Sequence, residues 1–212
     1  MPSDRKDRKE RLTESKSGAW ASSSQDYLLL ANDLFEQSFA HAKRFDGNVS
    51  PYPIAGIPLL VSTLRALLIE ANSGMFGVDR DFGAMVRLAN DQNETGLVSE
   101  KYIGIGSDTA NDLSLLYEVR NEIVHPAHTP AGTKHNTPLN MLPLRDRGLL
   151  QSSGKSDSDY TWISQLHSHR LFRWSFVTVE RVAEAVLTRH YAMNGYEASH
   201  LKCYGKYREH DL

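Results

Sequence analysis

Arg120, Asn121 and His125 are the residues in this sequence whose types and spacing best suit a defined chemistry. A guanidinium can hold a phosphate through paired N–H bonds, and an imidazole near neutral pH can take up or give back a proton. Side by side, the two are an apparatus for phosphodiester chemistry that needs no metal ion. Pro126 disfavours helical geometry at His125 and so predicts that a helix ends there. At that end the helix dipole favours the protonated imidazolium.

The helix leading to His125 sets how these groups can meet. On a helical projection Leu113, Leu116, Tyr117, Ile123 and Val124 share one face, with Arg120 in its middle. A buried guanidinium without a partner is costly, so Arg120 requires a carboxylate, a cluster of carbonyls or an anion from outside. Asn121 and His125, four residues apart, stack on the adjoining flank, with Ser114 and Glu118 near the same line. The five-residue step from Arg120 to His125 separates their directions by about 140°, so only the length of the arginine lets both reach one ligand. A plainer reading has Arg120 paired internally with Glu36 or Glu70, and His125 as a C-terminal cap donating to free carbonyls.

The surrounding elements read as helices. The stripe Leu28, Ala31, Leu34, Phe35, Ser38, Phe39 and Ala42 predicts a helix from Tyr27 to Asp46. A Pro-rich connector (Pro51, Pro53, Pro58) leads to a second helix, starting at Pro58, with Leu59, Leu60, Leu64, Leu67, Leu68 and Ala71. It is apolar on most sides and should be the central one. A short helix is expected over 82–89 and a connector over 91–107. The motif helix should begin at Ser107-Asp108-Thr109, whose side chains suit an N-cap. Residues 126–160, rich in Pro, Gly, Ser and Asp, predict a long irregular insertion. A final helix should run from Tyr160 to Tyr191 on Phe172, Phe176, Val179, Ala183, Val186 and His190. The expected fold is an all-α bundle of four to six helices. It would occupy residues 25–192, between a loosely ordered polar tail at 1–24 and a C-terminal tail at 193–212.

Composition fits that outline. The chain has 212 residues, 40% of them hydrophobic and 24% charged, which suits one globular domain. No apolar run approaches the roughly 20 residues that span a bilayer, and the N-terminus is charged rather than signal-like. The single cysteine, Cys203, excludes an internal disulfide framework. These features predict a cytoplasmic protein with no membrane partner. Residues 25–133 hold 7 basic and 14 acidic side chains, whereas residues 134–212 hold 11 basic and 8 acidic with six of the nine histidines. A nucleic acid would therefore meet mainly the C-terminal part.

The segment LSLLYEVRNEIVHP, residues 113–126, resembles the signature of the HEPN superfamily: an arginine, a polar residue beside it, and a histidine four to six residues on at a helix end. The order of a Leu-rich helix before the motif and a long aromatic-apolar helix after it is similar too. What the resemblance implies is metal-independent endoribonuclease activity, in a toxin or antiphage effector, without a cofactor. A composite site would form where two motif helices meet in a homodimer. Arg120 would orient the scissile phosphate of RNA, and His125 would act as general acid or base for the 2′-hydroxyl or the leaving 5′-oxygen. Asn121 would position the histidine or the phosphate. An antitoxin or other regulatory partner is also implied. Members paired with nucleotidyltransferase antitoxins often carry a tyrosine two residues past the histidine; Ala127 stands there in this chain, which departs from that subgroup. The alternative is a HEPN-like module that dimerises or binds RNA or nucleotide without catalysis.

Other signals are weaker. His167, His169 and Arg170 followed by Phe172, Arg173 and Trp174 mix cations with aromatics as RNA-contacting surfaces do, yet an ordinary amphipathic helix start explains them better. His200 and Cys203 lack the two further ligands a structural zinc needs. Cys203 has no defined catalytic partner. Gly104-Ile105-Gly106 lacks the strand and third glycine of a phosphate-binding turn.

Overall fold

In a computed structural model the described residues are 23–45, 48–72, 106–125, 137–151 and 162–194, with backbone alone at 68–72 and 186–194. They form five α-helices: α1 (Ser23–Arg44), α2 (Pro53–Asn72), α3 (Ser107–Val124), the short α4 (Leu142–Asp146) and α5 (His169–Asn194). Two 3-10 turns, Leu139–Met141 and Trp162–Leu166, precede α4 and α5. The all-α expectation holds: among the described residues the only β-pairing is an isolated bridge between Val49 and Ser168. No helix among them is long and apolar enough to cross a membrane. The expected 82–89 helix, the 1–22 part of the tail, the C-terminal tail with His200 and Cys203, and Gly104 and Ile105 lie outside the described residues.

The central place of α2 follows from its residues. Ile57, Leu60, Val61, Leu64 and Leu67 are buried, and over positions 53–67 of the helix only Ala55, Arg65 face solvent freely. It packs on α1, α3 and α5, while α3 packs on α2 and α5. The helix starts at Pro53 rather than Pro58, because Pro53 takes the first-turn position that needs no N–H. Pro58 lies inside it. The backbone of α2 approaches α5 at Gly56: a Cβ there would come within 2.0 Å of the Phe172 ring, which is itself fully buried. The aromatic stack of Phe35, Phe172 and Phe176, with centroids 4.7–5.5 Å apart, fills the space between α1 and α5.

Three boundaries differ from the sequence expectation, each for a local reason. Helix α1 begins at Ser23, so Ser23 and Ser24 belong to the bundle rather than to the tail, and Ser24 is buried. The 126–160 segment is not wholly irregular. Met141 and Leu144, three residues apart, and Leu150 beyond the helix are buried in the core. After α4, Gly148 at φ 67° turns the chain: its N–H donates to the Arg145 carbonyl and that of Leu149 to the Leu144 carbonyl.

The third difference is the start of α5, at His169 rather than Tyr160. Asn48 and Ser168 together satisfy the first turn. The His169 N–H donates to the Asn48 carbonyl (2.8 Å) and the Arg170 N–H to Asn48 Oδ1 (2.7 Å). The Leu171 N–H donates to Ser168 Oγ (3.2 Å) and the Phe172 N–H to the Ser168 carbonyl (3.1 Å). The first three amides of the helix thus have capping partners, and the Phe172 bond is the first of the helical ladder. Beneath this cap, Ser38 Oγ lies 2.7 Å from Ser50 Oγ and 2.8 Å from His169 Nδ1, all three side chains fully buried.

Two predictions follow from this packing. In an open helix Gly→Ala stabilises by up to about 1 kcal/mol, but Gly56→Ala must displace the Phe172 ring and should destabilise by about 1–3 kcal/mol. Thermal melting should show a lower Tm for Gly56→Ala; an unchanged or higher Tm would contradict the packing. His167, partly withdrawn from water, has its pKa lowered below the usual 6.5 by that burial. The unfolded chain therefore binds the proton first, so stability is fully present above about pH 6.5 and declines as pH falls below it. Urea midpoints should drop less between about pH 7.5 and 5 in His167→Gln than in the parent; equal drops would refute the assignment.

Candidate functional site

The site is built on the last two turns of α3 and the 3-10 turn that packs on it. Helix α3 buries Ala110, Leu113, Leu116 and Val119. It is entered through Gly106, with no side-chain cap bond, so Ser107-Asp108-Thr109 does not supply the expected N-cap. Asp108 instead stands in the first turn, where its charge suits the helix dipole. Asp112 is anchored from outside by an ion pair to Arg147.

The apolar face lies slightly rotated from the one projected from the sequence. Val119 is fully buried, whereas Val124 is 40% exposed. Arg120 therefore sits on the ridge between buried Leu116 and exposed Val124, and is half-buried rather than enclosed. Its Nη1 donates to Asn121 Oδ1 at 3.0 Å. Among the described residues no carboxylate comes within ion-pair distance of Arg120. Glu70, the other partner considered, has no described side chain. The guanidinium thus has a neutral oxygen on one side and most of its donors left over, at the edge of the core where they can turn outward.

His125 stands where Pro126 predicts. It is the C-cap of α3, with its N–H donating to the Asn121 carbonyl at 2.7 Å, and its side chain is exposed. Among the described residues its imidazole makes no hydrogen bond to Arg120 or Asn121. The structure therefore brings Arg120 and Asn121 into contact and places His125 one turn on, with its ring in solvent. Glu118, on the same flank, accepts a bond from Asn140 Nδ2 at 3.0 Å. Asn140 comes from the 3-10 turn, 22 residues away in sequence. No periodicity in the sequence marks it; its role depends on the fold of a segment expected to be irregular.

Chemically, the arrangement can hold an oxyanion against Arg120, with Asn121 fixing the fork and an exposed imidazole nearby for proton transfer. The 167–174 segment contributes little of this. His169 and Phe172 are fully buried and belong to the core, so their rings cannot stack on bases, whereas Arg170 is exposed. Among the described residues no three His, Cys, Asp or Glu side chains group closely enough to hold a metal ion. Comparison of the chain with protein-family models, with curated proteins and with solved structures finds no match.

Proposed function

We propose that the chain is a metal-independent endoribonuclease of the HEPN type, acting as a homodimer through α3. The observation that carries this reading is the state of Arg120: half-buried, bonded to Asn121, and unpaired with any described carboxylate, one turn before an exposed histidine. A guanidinium so placed suits an anion from outside. In this account Arg120 holds the scissile phosphate and Asn121 positions the guanidinium. The 2′-oxygen attacks phosphorus as its proton passes to a base, and the bond from phosphorus to the 5′-oxygen breaks as that oxygen is protonated. One imidazole cannot be base and acid at the same instant, so His125 takes one role and the second copy's equivalent the other. The products are a 2′,3′-cyclic phosphate and a 5′-hydroxyl. Val124 on α3 and Leu139 on the adjoining turn, 40% and 84% exposed, are apolar surface that a partner helix would cover. Toxin or antiphage action under an antitoxin or other regulator would be the setting for such an activity.

A second reading is a HEPN-like module that binds RNA or nucleotide and dimerises without catalysis. The separation of the His125 ring from Arg120 and Asn121 favours it, because a lone chain does not present a closed catalytic set.

Incubating the purified chain with structured RNA in EDTA, beside Arg120→Ala and His125→Ala, distinguishes the two. The expected result is cleavage that persists without metal, leaves 2′,3′-cyclic phosphate ends, and falls at least roughly 100-fold in each variant. Binding without turnover would favour the module, and cleavage undiminished in both variants would overturn the assignment of the site.

A further inference from the structure

The other end of α1 carries a surface that the motif does not use. The last turn of α1 holds His41, Lys43 and Arg44, and Phe45 follows with 59% of its surface exposed. The His41 ring packs on Phe45 with centroids 4.5 Å apart, and His41 Nδ1 donates to the Val49 carbonyl at 2.9 Å, which steadies the aromatic from behind. The Arg44 guanidinium lies over Phe45 at 5.6 Å from the ring centre. Lys43 Nζ lies 4.2 Å from the centre of Phe39, and the Phe39 ring lies 5.7 Å from the His169 ring at the start of α5. Arg170, exposed, comes next in α5, its backbone held by Asn48 just beyond α1.

The corner where α1 ends and α5 begins therefore carries Lys43, Arg44 and Arg170, with Arg44 lying over the exposed Phe45. None of the three cations pairs with a carboxylate among the described residues. Cations at a helix C-terminus suit its dipole, which accounts for Lys43 and Arg44 alone. It does not account for Arg170, which sits at the N-terminus of α5, where a positive charge is disfavoured. Nor does it account for a large aromatic ring left in water beside a stacked guanidinium. Backbone-tracking cations beside a ring open to stacking are the elements by which proteins hold single-stranded nucleic acid.

We infer that this corner docks a single-stranded stretch of RNA, with a base stacked on Phe45 and flanking phosphates met by Lys43, Arg44 and Arg170. The occupant follows from charge complementarity: three cations with no carboxylate partner among the described residues call for a polyanion, and the exposed ring selects one that carries planar groups. The inference rests on the reading of RNA as substrate. It adds a second point of hold, which would fix the strand entering the α3 site and bias cleavage toward RNA with an unpaired segment.

Fluorescence anisotropy with a labelled uridine oligonucleotide tests it, using the full chain carrying His125→Ala so that the probe stays intact. Phe45→Ala should weaken binding roughly tenfold. The pair Arg44→Glu and Arg170→Glu should weaken it further and lower the salt slope by about 1.4, the share of two phosphate contacts on a single strand. Arg181→Glu, an exposed arginine farther along α5, should change affinity less than about twofold if contact rather than overall charge is responsible. All these positions are exposed, and matched thermal melts confirm that the variants fold. Equal losses in Arg181→Glu, undiminished binding in the corner variants, or binding to anionic lipid vesicles but not to the oligonucleotide would each overturn the inference. Cleavage assays on the parent separate the two readings: turnover with undiminished binding in the corner variants removes the docking surface alone, while corner-dependent binding without turnover removes the nuclease and leaves the surface.

Discussion

The start of α5 is the point from which the rest of the bundle is held. Asn48 and Ser168 cap the first three amides of that helix, and the same two residues tie the end of α1 to the start of α5. Ser168 Oγ also donates to the Leu149 carbonyl, which brings the segment behind α4 to the same place. The buried Ser38, Ser50 and His169 group locks the node from inside. Buried polar groups stabilise only when satisfied, and this network sets the register in which Phe35, Phe172 and Phe176 interlock. With α1, α2 and α5 so fixed, α3 has one groove to fill, and its last turns emerge at the edge carrying Arg120 and His125.

That edge position reconciles the energetics of Arg120 with its chemistry. A guanidinium deep in the core would need a carboxylate, and the pair would be inert. At the point where the buried face of α3 runs out, a side-chain amide oxygen suffices, because solvent still reaches the remaining donors. The same helix end leaves the His125 side chain exposed. Along this helix Ala110, Leu113, Leu116 and Val119 are buried, whereas Val124 and His125 at its end are exposed.

Much of this was legible in the sequence, and the rest fails for identifiable reasons. Pro126 fixed the end of α3, and the unbroken apolar pattern of α2 marked it as central, because both depend on local sterics or on burial of one whole helix. The face of α3 was projected slightly wrong. Val119 was overlooked beside the apolar run that follows it, and burial depends on where α2 and α5 lie. The start of α5 was missed because Asn48 supplies half of its cap from far away in sequence. The order in residues 139–150 was hidden by Pro and Gly, which here make a first helical turn and a left-handed stop. Asn140 meeting Glu118, and Arg170 held by Asn48 just beyond α1, are products of tertiary placement that no spacing rule reveals.

The central claim is that Arg120 and His125 act on one phosphate although their side chains are apart in the free chain. NMR of the full chain with an uncleavable 2′-O-methyl oligonucleotide tests it most directly, by following the Arg120 Nε–H and the His125 ring resonances. The account predicts that both shift together on titration, and that Arg120→Ala removes the His125 response. A His125 ring that stays unmoved while RNA saturates the protein would contradict it.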